Sequence, residues 1–142
     1  MAMEARVVGY SETAKSQQNN TPSQRYTVYH VHVKYGGIEW ELPKRFNDFN
    51  RLHEELRSKT AEISNFNFPR KSVLNTKSKY TKQRRREGFD HYLVILSRIK
   101  PLPIELLEFV DAAHYLEAKE EQSIEGVLSP TSSLSSSFSS LK

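Results

Sequence analysis

Residues 26–42, YTVYHVHVKYGGIEWEL, decide the fold class. Apolar and polar side chains alternate along them. Tyr29, Val31, Val33 and Tyr35 share one face, and His30, His32 and Lys34 the other. A period of two is that of a strand with one side buried. Gly36-Gly37 interrupts the run with the two residues that most easily adopt the positive φ angles of a tight hairpin. Alternation resumes after them, with Ile38, Trp40 and Leu42 set against Glu39 and Glu41. Upstream, Val7 to Tyr10 reads as a further short strand, and residues 11–25, rich in Ser, Thr, Asn and Gln, as a long exposed loop. The N-terminal third is therefore a small three-stranded antiparallel sheet.

Downstream of Phe46 the period lengthens. Phe49, Leu52 and Leu56 fall at helical spacing, with Asn47 placed to cap the helix and Asp48 favourable in its first turn. A loop over residues 60–78 carries Phe66, Phe68 and Pro69. A second helix, from about Thr81 to Arg98, lines up Phe89, Tyr92, Leu93, Leu96 and Ile99 on one stripe before Pro101 and Pro103 end it. Two short helices follow, over residues 102–110 and 111–119. The expected architecture is α+β, a small sheet packed against a helical subdomain of three to four helices. Residues 1–119 form the domain. Residues 120–142 form a disordered Ser-rich tail, because nine of the last twenty residues are Ser and too little apolar surface remains to offset ordering entropy.

Composition narrows the chemistry. The absence of Cys excludes disulfides, thiolate metal sites and Cys nucleophiles. No apolar run is long enough to span a bilayer, and residues 1–6 lack the pattern of a secretory signal. The net charge of +4 is modest, but its distribution is uneven. Residues 70–86 hold eight cations (Arg70, Lys71, Lys77, Lys79, Lys82, Arg84, Arg85 and Arg86) and no acid, whereas residues 102–118 hold only acids among their charged side chains. One basic face fits an anionic partner; a solvated helix surface fits it equally well.

His30 and His32 lie two apart on a strand without a carboxylate or thiolate to complete a metal site, and His53 and His91 fall on helix faces beside apolar residues. No nucleophile motif, phosphate-cradling Gly-rich loop or paired-carboxylate motif is present, so no enzymatic activity and no cofactor are expected.

The segment Leu42-Pro43-Lys44-Arg45-Phe46-Asn47-Asp48-Phe49 joins a strand end to a helix start through two cations and an aromatic ring. A guanidinium forks two N–H donors onto a phosphate, and a flat ring packs under a sugar-like ring. Alone, the same residues also fit an Arg45 paired with a carboxylate and a Phe46 in the core. Two further pieces accompany it, Phe68-Pro69-Arg70-Lys71 and Arg84-Arg85-Arg86 leading into Phe89 and Tyr92-Leu93. Three arginines in the first turn of a helix oppose its dipole, a conflict better tolerated where an anion visits.

Together these motifs resemble the phox-homology (PX) domain, over residues 3–119. Arg45-Phe46-Asn47-Asp48-Phe49-Asn50-Arg51-Leu52 matches its Arg-[Tyr/Phe]-x-x-Phe-x-x-Leu pattern, Phe68-Pro69-Arg70-Lys71 its Phe-Pro-x-Lys element, and Arg85, Phe89, Tyr92 and Leu93 its Arg-x-x-x-[hydrophobic]-x-x-Tyr-Leu element. Lys44 stands where the family usually has an Arg, Asn47 replaces the Ser or Arg that often follows the aromatic, and Pro69 stands without the usual P-x-x-P run.

The resemblance implies a membrane-targeting module for a phosphoinositide, foremost phosphatidylinositol 3-phosphate. Arg45 would bind the 3-phosphate, Phe46 floor the inositol ring, Lys71 contact the 1-phosphate and Arg85 hold the 4- and 5-hydroxyls. Val73 and Leu74 would enter the bilayer, with Lys77, Lys79, Lys82 and Arg84 as a peripheral basic rim. The implied location is the cytosolic face of endosomal membranes, with a role in trafficking. Two alternatives stand beside it, a protein-interaction module using the same helical region and a basic nucleic-acid-binding domain. The latter is disfavoured because Tyr80 is the one aromatic interleaved with the basic run.

Overall fold

A computed structural model of the chain describes residues 2–14, 25–69 and 78–128. Strands β1 (Glu4–Ala14), β2 (Arg25–Tyr35) and β3 (Ile38–Lys44) form one antiparallel sheet in the order β1-β2-β3. They are followed by helices α1 (Phe46–Leu56), α2 (Ala61–Ser64), α3 (Lys79–Ser97), α4 (Ile104–Phe109) and α5 (Ala112–Leu128). The architecture is α+β, as the alternation and the later helical period require.

The hairpin forms where Gly36 and Gly37 stand, at φ 64 and φ 78, angles a side chain would strain. Register places Val33 opposite Trp40 and Val31 opposite Leu42 on β3, and Val31 opposite Val7 on β1. Tyr29, Val31 and Val33 are fully buried, while His30 and His32 remain half-exposed beside Glu41 and Glu39. β1 is longer than its apolar core, because backbone pairing with β2 continues through polar residues to Ala14. A bulge between Val7 and Gly9 leaves Val8 facing outward, 57% exposed.

The sheet's inner face meets an aromatic cluster. Phe49 of α1 stacks on Phe89 of α3 with ring centroids 4.0 Å apart, and Tyr29 meets Phe89 edge-on at 5.2 Å. On the far side Trp40 donates its indole N–H to the Val110 carbonyl at 2.9 Å and stacks on Tyr115 at 4.7 Å, fastening α5 to β3.

α3 runs along the free edge of β1. The Asp90 carboxylate accepts the Val7 backbone N–H at 2.9 Å and a forked pair from Arg6, both at 2.8 Å; Arg86 donates to the Val7 carbonyl at 3.1 Å. Two side chains thus satisfy the Val7 backbone groups, which a further strand would have paired.

Besides β1, which takes in residues 11–14 of the expected loop, three boundaries differ from expectation. Arg45, not Asn47, occupies the N-cap of α1, because Asp48 accepts the Arg45 backbone N–H at 2.8 Å and sets the first turn one residue earlier. The loop over residues 60–78 contains α2, capped by the Thr60 hydroxyl accepting from the Ile63 N–H. Finally, α5 continues to Leu128, where the last short helix was expected to end at residue 119.

Candidate functional site

The junction of β3 and α1 turns consecutive side chains in different directions. Lys44 goes toward the helical subdomain, its ammonium 4.6 Å from the centre of the Phe109 ring. Burial there pulls its pKa down, against the raising charges of Asp48 and Asp111. Lys44 therefore faces away from the neighbourhood of Arg45. Arg45 itself is exposed and lays its guanidinium 4.0 Å from the centre of the Tyr26 ring, a cation–π contact at the start of β2. Its backbone is held by Asp48, so the side chain is presented from a fixed N-cap.

Phe46 is half-buried, joining the aromatic cluster through Phe68 at 6.4 Å and Phe89 at 5.8 Å. Arg85 also lies over this ring, with the guanidinium carbon 4.3 Å from the ring centre. Arg85 is 9% exposed, and its charge opposes the rise that burial produces in the pKa of Tyr29. Of the four head-group residues expected from sequence, the structure brings Phe46 and Arg85 into contact and leaves the Arg45 side chain on Tyr26. Lys71 lies outside the described residues, as do Val73, Leu74 and Lys77.

Phe68 leads toward Lys71 and is pinned firmly. It stacks on the His53 imidazole at 4.4 Å and meets Tyr92 edge-on at 5.1 Å. His53 Nδ1 sits 3.0 Å from the Tyr92 hydroxyl, and burial lowers the His53 pKa, keeping it a neutral packing group at pH 7. Beside this segment opens a cleft of about 1070 Å³ between residues 65–69 and α3, with Tyr80, Arg84 and Arg85 on its helical wall. Arg85 links that cleft to Phe46.

The three arginines do not act together. α3 starts at Lys79, capped by Ser78 through a 3.1 Å bond to the Thr81 N–H. Arg84, Arg85 and Arg86 consequently lie beyond the first turn, where the helix dipole has little hold. This removes the dipole argument made for an anion from their position alone. At 100° per residue they point in three directions. Arg84 reaches the Tyr80 hydroxyl at 2.8 Å in solvent, Arg85 enters the site, and Arg86 serves the Val7 carbonyl.

Lys82 departs from the expected peripheral rim. It is 7% exposed and ion-paired with Glu12 of β1, so its charge is turned inward rather than toward a membrane. Lys79 and Arg84 are exposed, as a rim requires. Sequence reading missed Glu12 and Tyr26. Both sit at the strand ends that frame the 15–24 segment, and the extension of the β1–β2 ladder, with Glu12 opposite Thr27 and Thr13 opposite Tyr26, brings them in.

A family model for the PX domain matches residues 32–112, more than half of the chain. The chain belongs to the PX-domain family. Human sorting nexin-22 is 30% identical over 96 residues, which cover 67% of this chain and 48% of that relative, so the chain spans about half its length. Among solved structures, a designed CISK-PX domain is similar with a TM-score of 0.52 at 20% identity, over 77% of this chain and 95% of that one. The mouse SNX19 PX domain with bound sulphate ion gives 0.51 at 19%, over 76% and 95%. These two likenesses carry the fold. As a PX domain, the chain is a phosphoinositide-binding module for membrane targeting. Among the described residues of this PX domain, no helix is long and apolar enough to cross a membrane.

Proposed function

We propose that this PX domain binds phosphatidylinositol 3-phosphate and thereby recruits its protein to the cytosolic face of endosomal membranes for trafficking, as a non-catalytic module. The observation that supports this most is the placement of the Arg85 guanidinium 4.3 Å over the Phe46 ring, directly after Arg45 in a fixed N-cap. One permanent cation thus lies against the Phe46 ring, and a second, Arg45, precedes that ring in sequence with its guanidinium on Tyr26. A phosphorylated inositol needs that combination, because its phosphates take forked N–H donors while its ring lies against an apolar plane.

In this reading Arg45 leaves Tyr26 to hold the 3-phosphate, Phe46 floors the ring, and Arg85 donates to the ring hydroxyls. Lys71, at the end of the segment pinned through Phe68, contacts the 1-phosphate. Lys77, Lys79 and Arg84 supply screened attraction to the leaflet, and Val73 and Leu74 enter it. Truncating one partner of a desolvated charge pair costs roughly 2–5 kcal/mol. Arg45→Ala is therefore expected to weaken binding to vesicles carrying phosphatidylinositol 3-phosphate by more than about tenfold, with an unchanged circular dichroism spectrum. Full affinity in the folded variant would refute the assignment.

A further inference from the structure

The Arg45 guanidinium rests on a ring to which the sequence motifs assign no role. The β2–β3 ladder ends where Tyr29 stands opposite Lys44, next to the turn into α1. Tyr26 lies three residues beyond that end of the ladder, its backbone held opposite Thr13 of β1. Its side chain is half-buried, and the Arg45 guanidinium carbon is 4.0 Å from the centre of its ring. Among the described residues, Arg45 forms no salt bridge and Tyr26 meets no other aromatic ring. Phe46 packs instead with Phe68 and Phe89, under Arg85. The ring that holds Arg45 and the ring that floors the head-group site are therefore two different rings.

We propose that Tyr26 is a positioning residue that sets phosphoinositide affinity by competing with the 3-phosphate for the Arg45 guanidinium. The inference rests on the phosphoinositide reading above, in which Arg45 leaves Tyr26. A ligand that must draw a group off its resting contact binds more weakly, by the fraction of time that group is released. A cation–π contact at an exposed site is worth about two- to fivefold in such an equilibrium. A ring attracts the guanidinium through its quadrupole and gives the N–H donors no strong acceptor, so a phosphate displaces it readily. A carboxylate would take the very donors that a phosphate needs, and hold them harder. Asp48, the nearest acid in sequence, accepts the Arg45 backbone N–H at 2.8 Å. Lys44 cannot substitute for Arg45, because its ammonium lies on Phe109. Tyr26 thus keeps the guanidinium placed yet exchangeable.

This chemistry predicts a graded series. Trp holds a cation best, Phe and Tyr less, and Leu not through any ring. Affinity for the head group should run in the opposite order. Tyr26→Phe retains the ring and removes only the hydroxyl, so it separates the cation–π contact from any role of the oxygen.

The test is calorimetric titration of the whole chain with soluble inositol 1,3-bisphosphate, the head group of phosphatidylinositol 3-phosphate. Thermal unfolding and near-ultraviolet dichroism establish that each variant is folded. Tyr26→Leu is expected to bind about two- to fivefold tighter than wild type, Tyr26→Phe within about twofold of it, and Tyr26→Trp more weakly. Nuclear magnetic resonance supplies a readout that a purely structural role would not move. The Arg45 Nε–H resonance, assigned by its loss in Arg45→Ala, should be displaced by the ring current in wild type relative to Tyr26→Leu. That displacement should vanish when both are saturated with the bisphosphate. A displacement that persists at saturation shows that Arg45 stays on the ring, and overturns the competition. Unchanged or weaker binding by folded Tyr26→Leu overturns it equally. If wild type does not bind the bisphosphate, the phosphoinositide reading falls and this inference with it. Should Tyr26→Leu fail to fold, Tyr26→Trp decides: equal or tighter binding by that folded variant overturns the proposal.

Discussion

Pro69 occupies the space above Gly88: a β-carbon built on Gly88 would lie 2.6 Å from the Pro69 Cγ. Gly in a helix interior ordinarily costs about 1 kcal/mol relative to Ala, so its presence midway along α3 calls for a reason. The notch lets Pro69 lie against the helix that carries Arg85. Gly88→Ala should gain about 1 kcal/mol in helix propensity and lose about 1–3 kcal/mol to overpacking. The net loss of up to about 2 kcal/mol should lower the melting temperature by at most several degrees. Head-group affinity should fall several-fold, since a rigid ring two residues from Lys71 must move; calorimetric titration beside a melting curve separates the two effects. Undiminished affinity would show that the path of Pro69 does not matter to binding.

Asp90 makes stability depend on acid. Burial pushes its pKa up, but hydrogen bonds from Arg6 and the Val7 N–H, with the charges of Arg6 and Arg86, more than offset this and hold it below the ordinary value of 3.8. A carboxyl whose pKa is depressed by folding stabilises the native state above its unfolded pKa, and that contribution drains away as pH falls toward the folded one. Stability measured by urea unfolding should therefore decline as pH drops below about 4, and Asp90→Asn should flatten that part of the profile. At neutral pH the variant should lose roughly 1–3 kcal/mol, because Arg6 and Val7 surrender charge-assisted bonds at the edge of β1. An acid limb identical to wild type would place the acid sensitivity elsewhere.

The rim is expected to act by charge alone. Lys79 and Arg84 are exposed, and each cation near an anionic leaflet is worth about 1 kcal/mol. Changing both to Gln should reduce vesicle binding about thirtyfold at low salt, and much less once the screening length shrinks to about 3 Å near 1 M salt. Flotation assays across a phosphoinositide panel should show the same preferred head group before and after. A changed preference would bring one of the two residues into the pocket.

Val73 and Leu74 lie outside the described residues, and the wedge proposed for them rests on sequence. Burying one such side chain gains roughly 1.5–3 kcal/mol, so two partly inserted ones add a few kcal/mol to a head-group contact. Val73→Asp with Leu74→Asp should leave titration with soluble inositol 1,3-bisphosphate unchanged and lower vesicle affinity at least tenfold. Loss of soluble binding together with a lower melting temperature would make them core residues.

The local periods legible in the chain were enough for the hairpin, α1 and α3, but not for α2 or for the lengths of β1 and α5. Alternation around Gly36-Gly37 and the stripe from Phe89 to Leu96 encode which face of each strand or helix is apolar, and that depends only on neighbours a few residues away. The Arg45-Phe46 step, marking a strand end meeting a helix start, was readable for the same reason. Tertiary structure alone decided what each polar side chain does. Arg84, Arg85 and Arg86 look equivalent in sequence, yet one faces solvent, one covers Phe46 and one binds the edge of β1. Lys44 and Arg45 are adjacent cations that meet Phe109 and Tyr26 on separate sides. Lys82 read as part of a basic surface until β1, some seventy residues away, brought Glu12 against it. Periodicity specifies a face, but a charge takes its role from the groups that folding brings to it, and those come from distant parts of the chain.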